Sequence, residues 1–275
     1  MKDINQYLQI VLNKIYLELI NTGERPMLET IFERINAVYQ FSYIFASDLV
    51  KNKSVLDFGC GGGYGTEYLS RFTKQIVTGF DIDKRTIEIN DKYFNKGNLM
   101  FISNQKMIKE YDIVVSFQVI EHLKEKFVED YLNNISKKYL KQRGIFICST
   151  PNKLITSTNL KKPIMVFHEK EYGPIELRLK LKKYFKNVSI FGQGDEFIIN
   201  TKKNRDKERK VSTREKLIKK VSQIEIVRII SRHLPMAIKY LFEGNPKKDK
   251  EINYKLVDNS EEIDKSYILI AKCEN

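Results

Sequence analysis

At 275 residues, with 42% hydrophobic and 30% charged residues, the chain can bury a full core and is too apolar to be disordered. No apolar run approaches the roughly 18 residues of a membrane span, and the opening Met1-Lys2-Asp3-Ile4 lacks the basic-then-apolar layout of a secretory signal. Cys60, Cys148 and Cys273 stand too far apart for a disulfide framework or metal-ligand spacing, so a reducing cytoplasm is the expected compartment. The net charge of +13 is concentrated in residues 201–250, which hold 16 Lys and Arg against six Asp and Glu. Such a segment implies an anionic partner or surface and says nothing of the fold.

Ile4, Leu8, Val11, Leu12, Ile15 and Leu19 recur at helical spacing, and Asn21-Thr22-Gly23 ends that helix. A second apolar-periodic stretch runs from about Met27 to Val50. Short β-branched runs follow at Ser54–Phe58, Ile76–Phe80, Asn98–Ser103, Asp112–Phe117 and Gly144–Ser149, with helical stretches near 64–72, 84–95 and 123–140 between most of them. Alternating buried-type strands and helices predict an α/β fold with a parallel sheet covered on both faces. After Pro151 the sequence reads as a loop, then a helix from about Pro174 to Lys183 and a strand at Asn187–Phe191. A final run, Tyr267–Ala271, reads as a strand returning to the sheet after a long excursion.

The sharpest signal is Asp57-Phe58-Gly59-Cys60-Gly61-Gly62-Gly63-Tyr64, where a strand runs into a glycine cluster that opens a helix. Glycines suit a backbone that must turn tightly and approach a ligand. A dinucleotide fingerprint G-x-G-x-x-G would need glycine where Tyr64 stands, which disfavours a pyrophosphate. Asp57, at the strand's end, would repel phosphate and welcome a cation. Asp81, ending the next strand 22 positions after Gly59, is placed to take both hydroxyls of a ribose. A ribose joined to a cationic group without phosphate describes S-adenosylmethionine.

Asp57-x-Gly59-x-Gly61, Gly79-Phe80-Asp81-Ile82-Asp83 and Tyr111-Asp112-Ile113-Val114-Val115-Ser116 resemble three motifs of the class I S-adenosylmethionine-dependent methyltransferases. Val119-Ile120-Glu121-His122-Leu123, Ser149-Thr150-Pro151-Asn152 and His168-Glu169-Lys170-Glu171-Tyr172 extend the likeness over roughly residues 22–195. Their order is similar to a branch found in bacterial surface-polysaccharide and secondary-metabolite pathways. The resemblance implies a Rossmann-like, doubly wound sheet of seven strands, the last antiparallel. It divides the chain into an N-terminal helical lid (1–50), a cofactor-binding core (51–200), a basic amphipathic helical insertion (201–262) and the returning strand (263–275). It also implies that Gly59, Cys60 and Gly61 line the cofactor through backbone atoms, that Asp81 binds the ribose and that Ile82 covers the adenine. Asn104 or Gln105 would meet the adenine amino group, and Asp57 and Ser116 would complete the cofactor site.

A hydroxyl acceptor must lose a proton, and histidine suits that task near neutral pH. His122 follows the fourth strand and His168 lies in the loop after the fifth, both at the carboxyl edge where such sheets bind ligands; they are the candidate bases. Glu121 is placed to orient His122 or to bind a divalent cation, but with no second clustered carboxylate in the sequence no metal is expected. The Asn/Asp-Pro-Pro-aromatic run of many base and glutamine-amide methylating relatives is replaced here by Ser116-Phe117-Gln118-Val119. The expected acceptor is therefore a hydroxyl on a sugar or other small molecule, a lipid-linked glycan included. The alternatives are an RNA or protein methyltransferase and a non-catalytic S-adenosylmethionine-binding scaffold.

Within the basic segment, Leu217, Val221, Ile224, Val227, Ile230, Leu234, Ala237 and Leu241 form an apolar stripe beside Lys and Arg, with Pro235 breaking it into two helices. The stripe of 214–242 can pack on the catalytic domain or a second subunit of a homo-oligomer. It can also lie on an anionic membrane at the inner face, or dock nucleic acid, against which its few interleaved aromatics count.

Overall fold

The computed structural model describes residues 40–94, 97–165, 167–195 and 254–275. The predicted first helix, most of the lid and the basic stripe of 214–242 lie outside the described residues.

Eight strands form one sheet in the order β3-β2-β1-β4-β5-β8-β6-β7. They are β1 (Val55–Phe58), β2 (Val77–Phe80), β3 (Leu99–Ile102), β4 (Tyr111–Phe117), β5 (Leu140–Pro151), β6 (Asn187–Asp195), β7 (Tyr254–Val257) and β8 (Ile268–Glu274). β1 to β5 run parallel, while β8 inserts antiparallel between β5 and β6. The predicted strands and the reversed last strand are present. The expected count of seven is corrected by β7, which pairs antiparallel with β6 at the sheet's edge, inside the segment read as a helical insertion.

Successive side chains of the central strands enter opposite cores, as pleating requires. Leu56 and Val114 join Phe146, Leu132 and Leu177 on one face. Val55, Ile113 and Val115 join Ile147, Ile270 and Tyr43 on the other. The helices that cover these faces are α1 (40–47), α2 (Tyr64–Ser70), α3 (Lys84–Phe94), α4 (Glu125–Asn134) and α6 (Pro174–Leu181), with shorter α5 (Lys153–Thr156) and α7 (Ser260–Lys265). The segment after Pro151, read as loop, starts with α5, whose first turn is capped by Asn152 accepting from the Leu154 amide. Helix α4 ends in a π turn over Ile135–Tyr139, which buries Ile135 and Tyr139 before the chain enters β5. Among the described residues no helix is long and apolar enough to cross a membrane.

Every parallel strand therefore delivers its C-terminal end, at Phe58, Phe80, Ile102, Phe117 and Pro151, to the same edge of the sheet. The loops that leave this edge carry the site residues expected from the sequence, save Asp57 and Ser116, which lie in the last residues of β1 and β4.

Candidate functional site

The glycine loop turns between β1 and α2. Gly59, Gly61 and Gly63 have φ of 83°, 51° and 74°, a left-handed region that side chains rarely adopt. The Gly59 and Cys60 amides both donate to the Phe80 carbonyl, at 2.8 and 2.9 Å, which ties the loop to the end of β2. Asp81 braces the loop from the other side. One of its carboxylate oxygens accepts from the Gly61 amide at 2.9 Å and the other from the Asp83 amide at 3.0 Å. Ile82, next along, is 86% exposed, an apolar side chain held in solvent beside that carboxylate.

Asp57 sits beneath the loop rather than in it. Its carboxylate is fully buried and accepts hydrogen bonds from Thr66 Oγ1 at 2.7 Å and Tyr43 Oη at 3.1 Å. Burial pushes its pKa up to about 7, against the lowering effect of those two donors. Tyr43, on α1, thus joins the lid segment to the glycine loop. No local sequence pattern marks this role, because its partner lies 14 positions away.

The remaining expected cofactor contacts are placed unevenly. Asn104 is exposed after β3 and caps the following turn by accepting from the Lys106 amide. Gln105 donates from Nε2 to Tyr139 Oη at 2.8 Å, so its amide is turned toward the π turn. Ser116 is buried, donating to the Phe58 carbonyl and accepting from Tyr131 Oη. It ties β4 to β1 and α4, and its hydroxyl is engaged within the protein.

A second cluster occupies the ends of β4 and β5. After β4 the chain passes through Gln118, a non-glycine residue at φ 57°, and enters a 3-10 turn over Ile120–His122. Such a backbone stores of order 1–3 kcal/mol, and strain of this kind gathers at functional sites. The loop before α6 docks on that turn, as the Glu169 and Lys170 amides donate to the Glu121 carbonyl at 2.7 and 3.2 Å. This docking brings His122 and His168 together, with ring centroids 4.9 Å apart and nearly perpendicular planes.

The two rings are oriented by different partners. His168 is buried, and its Nδ1 lies 2.7 Å from Glu171 Oε1. Glu171 also accepts from Thr156 Oγ1 of α5 at 2.5 Å. Burial raises the Glu171 pKa, but donors from His168, Thr156 and Ser157 outweigh it and hold the group below the usual range. His122 is exposed, and its Nδ1 lies 3.3 Å from the Phe167 carbonyl. A carbonyl only accepts, so Nδ1 carries the proton and the lone pair is assigned to Nε2. Partial desolvation of the ring first, and His168 second, lower the His122 pKa from the ordinary imidazole value.

Glu121 lies fully buried beside both rings. One oxygen accepts from Thr150 Oγ1 at 3.1 Å, and the other, Oε1, has no partner among the described residues. Burial pushes its pKa up to about 7, with His168 the largest opposing influence. Glu171, Thr150 and Thr156 carried no role in the sequence reading. The one signal that could have found them is the three-residue spacing of His168 and Glu171, which is common in any loop.

Comparison with known proteins agrees with this geometry. A family model described as a methyltransferase domain matches residues 27–188. A protein of Mycolicibacterium smegmatis named as an S-adenosylmethionine-dependent methyltransferase is 31% identical over 153 residues, covering 53% of this chain and 55% of its own length. The ubiquinone biosynthesis O-methyltransferase of Pelagibacter ubique is 29% identical over 128 residues, covering 44% of this chain and 52% of its own length. The chain thus matches about half the length of these curated relatives. Among solved structures, an S-adenosylmethionine-dependent methyltransferase from Thermotoga maritima superposes with a TM-score of 0.52 at 13% identity, over 95% of this chain and 98% of that one. The YcgJ protein of Bacillus subtilis gives 0.50 at 13% identity, over 86% and 98%. At these identities the likeness speaks for the fold.

Proposed function

The chain belongs to the methyltransferase-domain family, and from that membership we propose a finer reading: it methylates a hydroxyl of a sugar or other small molecule, lipid-linked glycans included. The glycine loop suits S-adenosylmethionine because Gly59, Gly61 and Gly63, all in the left-handed region, present bare backbone at the end of β1. Gly59, Cys60 and Gly61 would hold that cofactor through backbone atoms, Asp81 through its ribose hydroxyls and exposed Ile82 through its adenine. When bound, it supplies an activated methyl group on a sulfonium.

The observation that carries the hydroxyl reading is the imidazole pair at the same sheet edge. His168 is locked by the Glu171 carboxylate and His122 by a backbone carbonyl, so two oriented rings await a group that must shed a proton. An already neutral amine carries its own lone pair and would need no such arrangement. Asp57, bonded to Tyr43 and Thr66, is a positioning residue for the loop rather than a ligand for the acceptor.

The test is transfer of a labelled methyl group into a cell-envelope extract. A glycan or glycolipid fraction should take up label, and His168→Ala should lower that uptake by roughly a hundredfold or more, with the affinity for S-adenosylhomocysteine retained. Label that vanishes with ribonuclease or protease would favour the RNA or protein alternative. Cofactor binding without any transfer would favour the scaffold. For the basic stripe of 214–242 we propose the anionic membrane surface as partner, on its sequence alone; binding to anionic vesicles that weakens with salt would support it.

A further inference from the structure

We infer that Glu121, His122 and His168 form a binding site for one borderline divalent cation, of the kind typified by Zn²⁺ or Co²⁺. The inference rests on reading the sheet edge as the acceptor site, and it names the means by which that site takes a hydroxyl. One donor atom from each of the three residues lies within 4.8 Å of the other two. The sequence alone argued against a metal because no second carboxylate stood nearby. Three donors from two loops need only one, and His168, 46 positions from His122, becomes the third through the docking of its loop on the Glu121 carbonyl.

Two further observations point to a cation. Glu121 Oε1 is buried with no partner among the described residues, and an orphaned carboxylate oxygen costs far more than a paired one. A cation would satisfy it. Independently, both imidazoles carry the outer support that metal-binding histidines need. Nδ1 of His168 meets a carboxylate and Nδ1 of His122 meets a backbone carbonyl, which directs the second nitrogen of each ring toward ligation. Two nitrogens and one oxygen suit a borderline metal rather than Mg²⁺ or Ca²⁺, which prefer all-oxygen shells. Ligand atoms around a tetrahedral ion with bonds of about 2.0–2.1 Å stand about 3.3 Å apart, so the cluster would close by an ångström or so on binding.

Three protein ligands leave a position open, and the exposure of His122 gives access to it. An acceptor hydroxyl in that position would bind through its oxygen. Its O–H bond would then break with the electron pair left on oxygen and the proton passed to water. The nitrogens would in that case act as ligands, and the pair would promote proton loss through the cation.

The experiment is calorimetric titration of the chelator-stripped full chain with Zn²⁺ and Co²⁺, with Mn²⁺ and Mg²⁺ for contrast. S-adenosylhomocysteine affinity is measured on the same samples. One ion per chain should bind, with Co²⁺ giving a visible absorption band. Glu121→Gln and His122→Ala should each weaken binding at least tenfold, and Glu171→Gln, which among the three ligands bonds to His168 alone, by roughly ten- to a hundredfold. His122 is exposed, so His122→Ala keeps the test valid if Glu121→Gln fails to fold. Metal binding absent from the parent, or unmoved by His122→Ala, would overturn the site while intact S-adenosylhomocysteine binding left the methyltransferase reading standing. Failure of S-adenosylhomocysteine to bind would instead count against that reading.

Discussion

Gly59→Ala tests the link between loop geometry and cofactor binding with a single methyl group. At φ 83° an alanine carries the left-handed penalty of about 1–2 kcal/mol. Its Cβ would also stand 2.5 Å from Cγ2 of Val119, well inside contact distance. Overpacking of that degree costs about 1–3 kcal/mol. The two together come to about 2–5 kcal/mol, within the 5–15 kcal/mol stability of an ordinary domain, so the variant should fold with a melting temperature lower by several degrees. Val119→Ala would remove the clash but not the strain. The double variant should therefore recover about 1–3 kcal/mol relative to additivity in a double-mutant cycle, and no more. Because the Gly59 amide shares the Phe80 carbonyl with Cys60, displacement of the loop should also weaken S-adenosylhomocysteine. Melting curves and calorimetry on the four proteins read both effects. Additive losses in the cycle would show that Val119 does not confine the loop, and an unaltered affinity in Gly59→Ala would refute the loop as the cofactor's seat.

Asp81→Ala should remove the charged acceptor for the ribose, a loss of about 1.5–3 kcal/mol and hence roughly ten- to a hundredfold in S-adenosylhomocysteine affinity. Because Asp81 also holds the Gly61 amide, Asp81→Asn should sit between parent and alanine variant; equal affinity in all three by calorimetry would sink the ribose assignment. For Asp57, the folded pKa of about 7 lies above the ordinary 3.8, so the folded state binds the extra proton and stability falls as pH rises through that window. The difference of about three pKa units corresponds to about 4 kcal/mol at most. Asp57→Asn should flatten the fall in melting temperature between pH 4 and 8, leaving a residual slope of the same sign from Glu121, and an unchanged pH profile would show that Asp57 does not carry the proton.

The sheet was legible because its central strands are buried on both faces, so Val55-Leu56 and Ile113-Val114 read as unbroken apolar runs bounded by turns. β7 was not, for a physical reason. It is a four-residue edge strand, Tyr254-Lys255-Leu256-Val257, in which Leu256 is 37% exposed and Val257 is buried. With Val257 the one inward side chain among those described, the strand sets no period. The π turn at Ile135–Tyr139 was hidden in the same way, since its residues continue the apolar spacing of α4 while the hydrogen bonding changes. In the cofactor loop the glycines and Asp81 announced themselves because backbone approach and a strand-end carboxylate are local requirements. The edge cluster is assembled by two amides of one loop meeting one carbonyl of another, Glu169 and Lys170 on Glu121, and backbone hydrogen bonds leave no trace in residue type.

That difference explains where the buried charge lies. Asp57, Glu121 and Glu171 all sit at or beyond the C-terminal ends of β1, β4 and β5, while the clusters that fill the two cores are apolar. Folding alone would favour apolar residues at all three places, because desolvating a carboxylate costs several kcal/mol unless it is compensated. Glu171 is compensated, with His168, Thr156 and Ser157 donating to it, and its pKa falls accordingly. Asp57 receives two hydroxyl donors and still sits near pH 7; Glu121 receives one on one oxygen and none on the other. A well-satisfied carboxylate orients a histidine, whereas the half-satisfied one at the meeting of two imidazoles retains a capacity for binding that the protein itself does not fill.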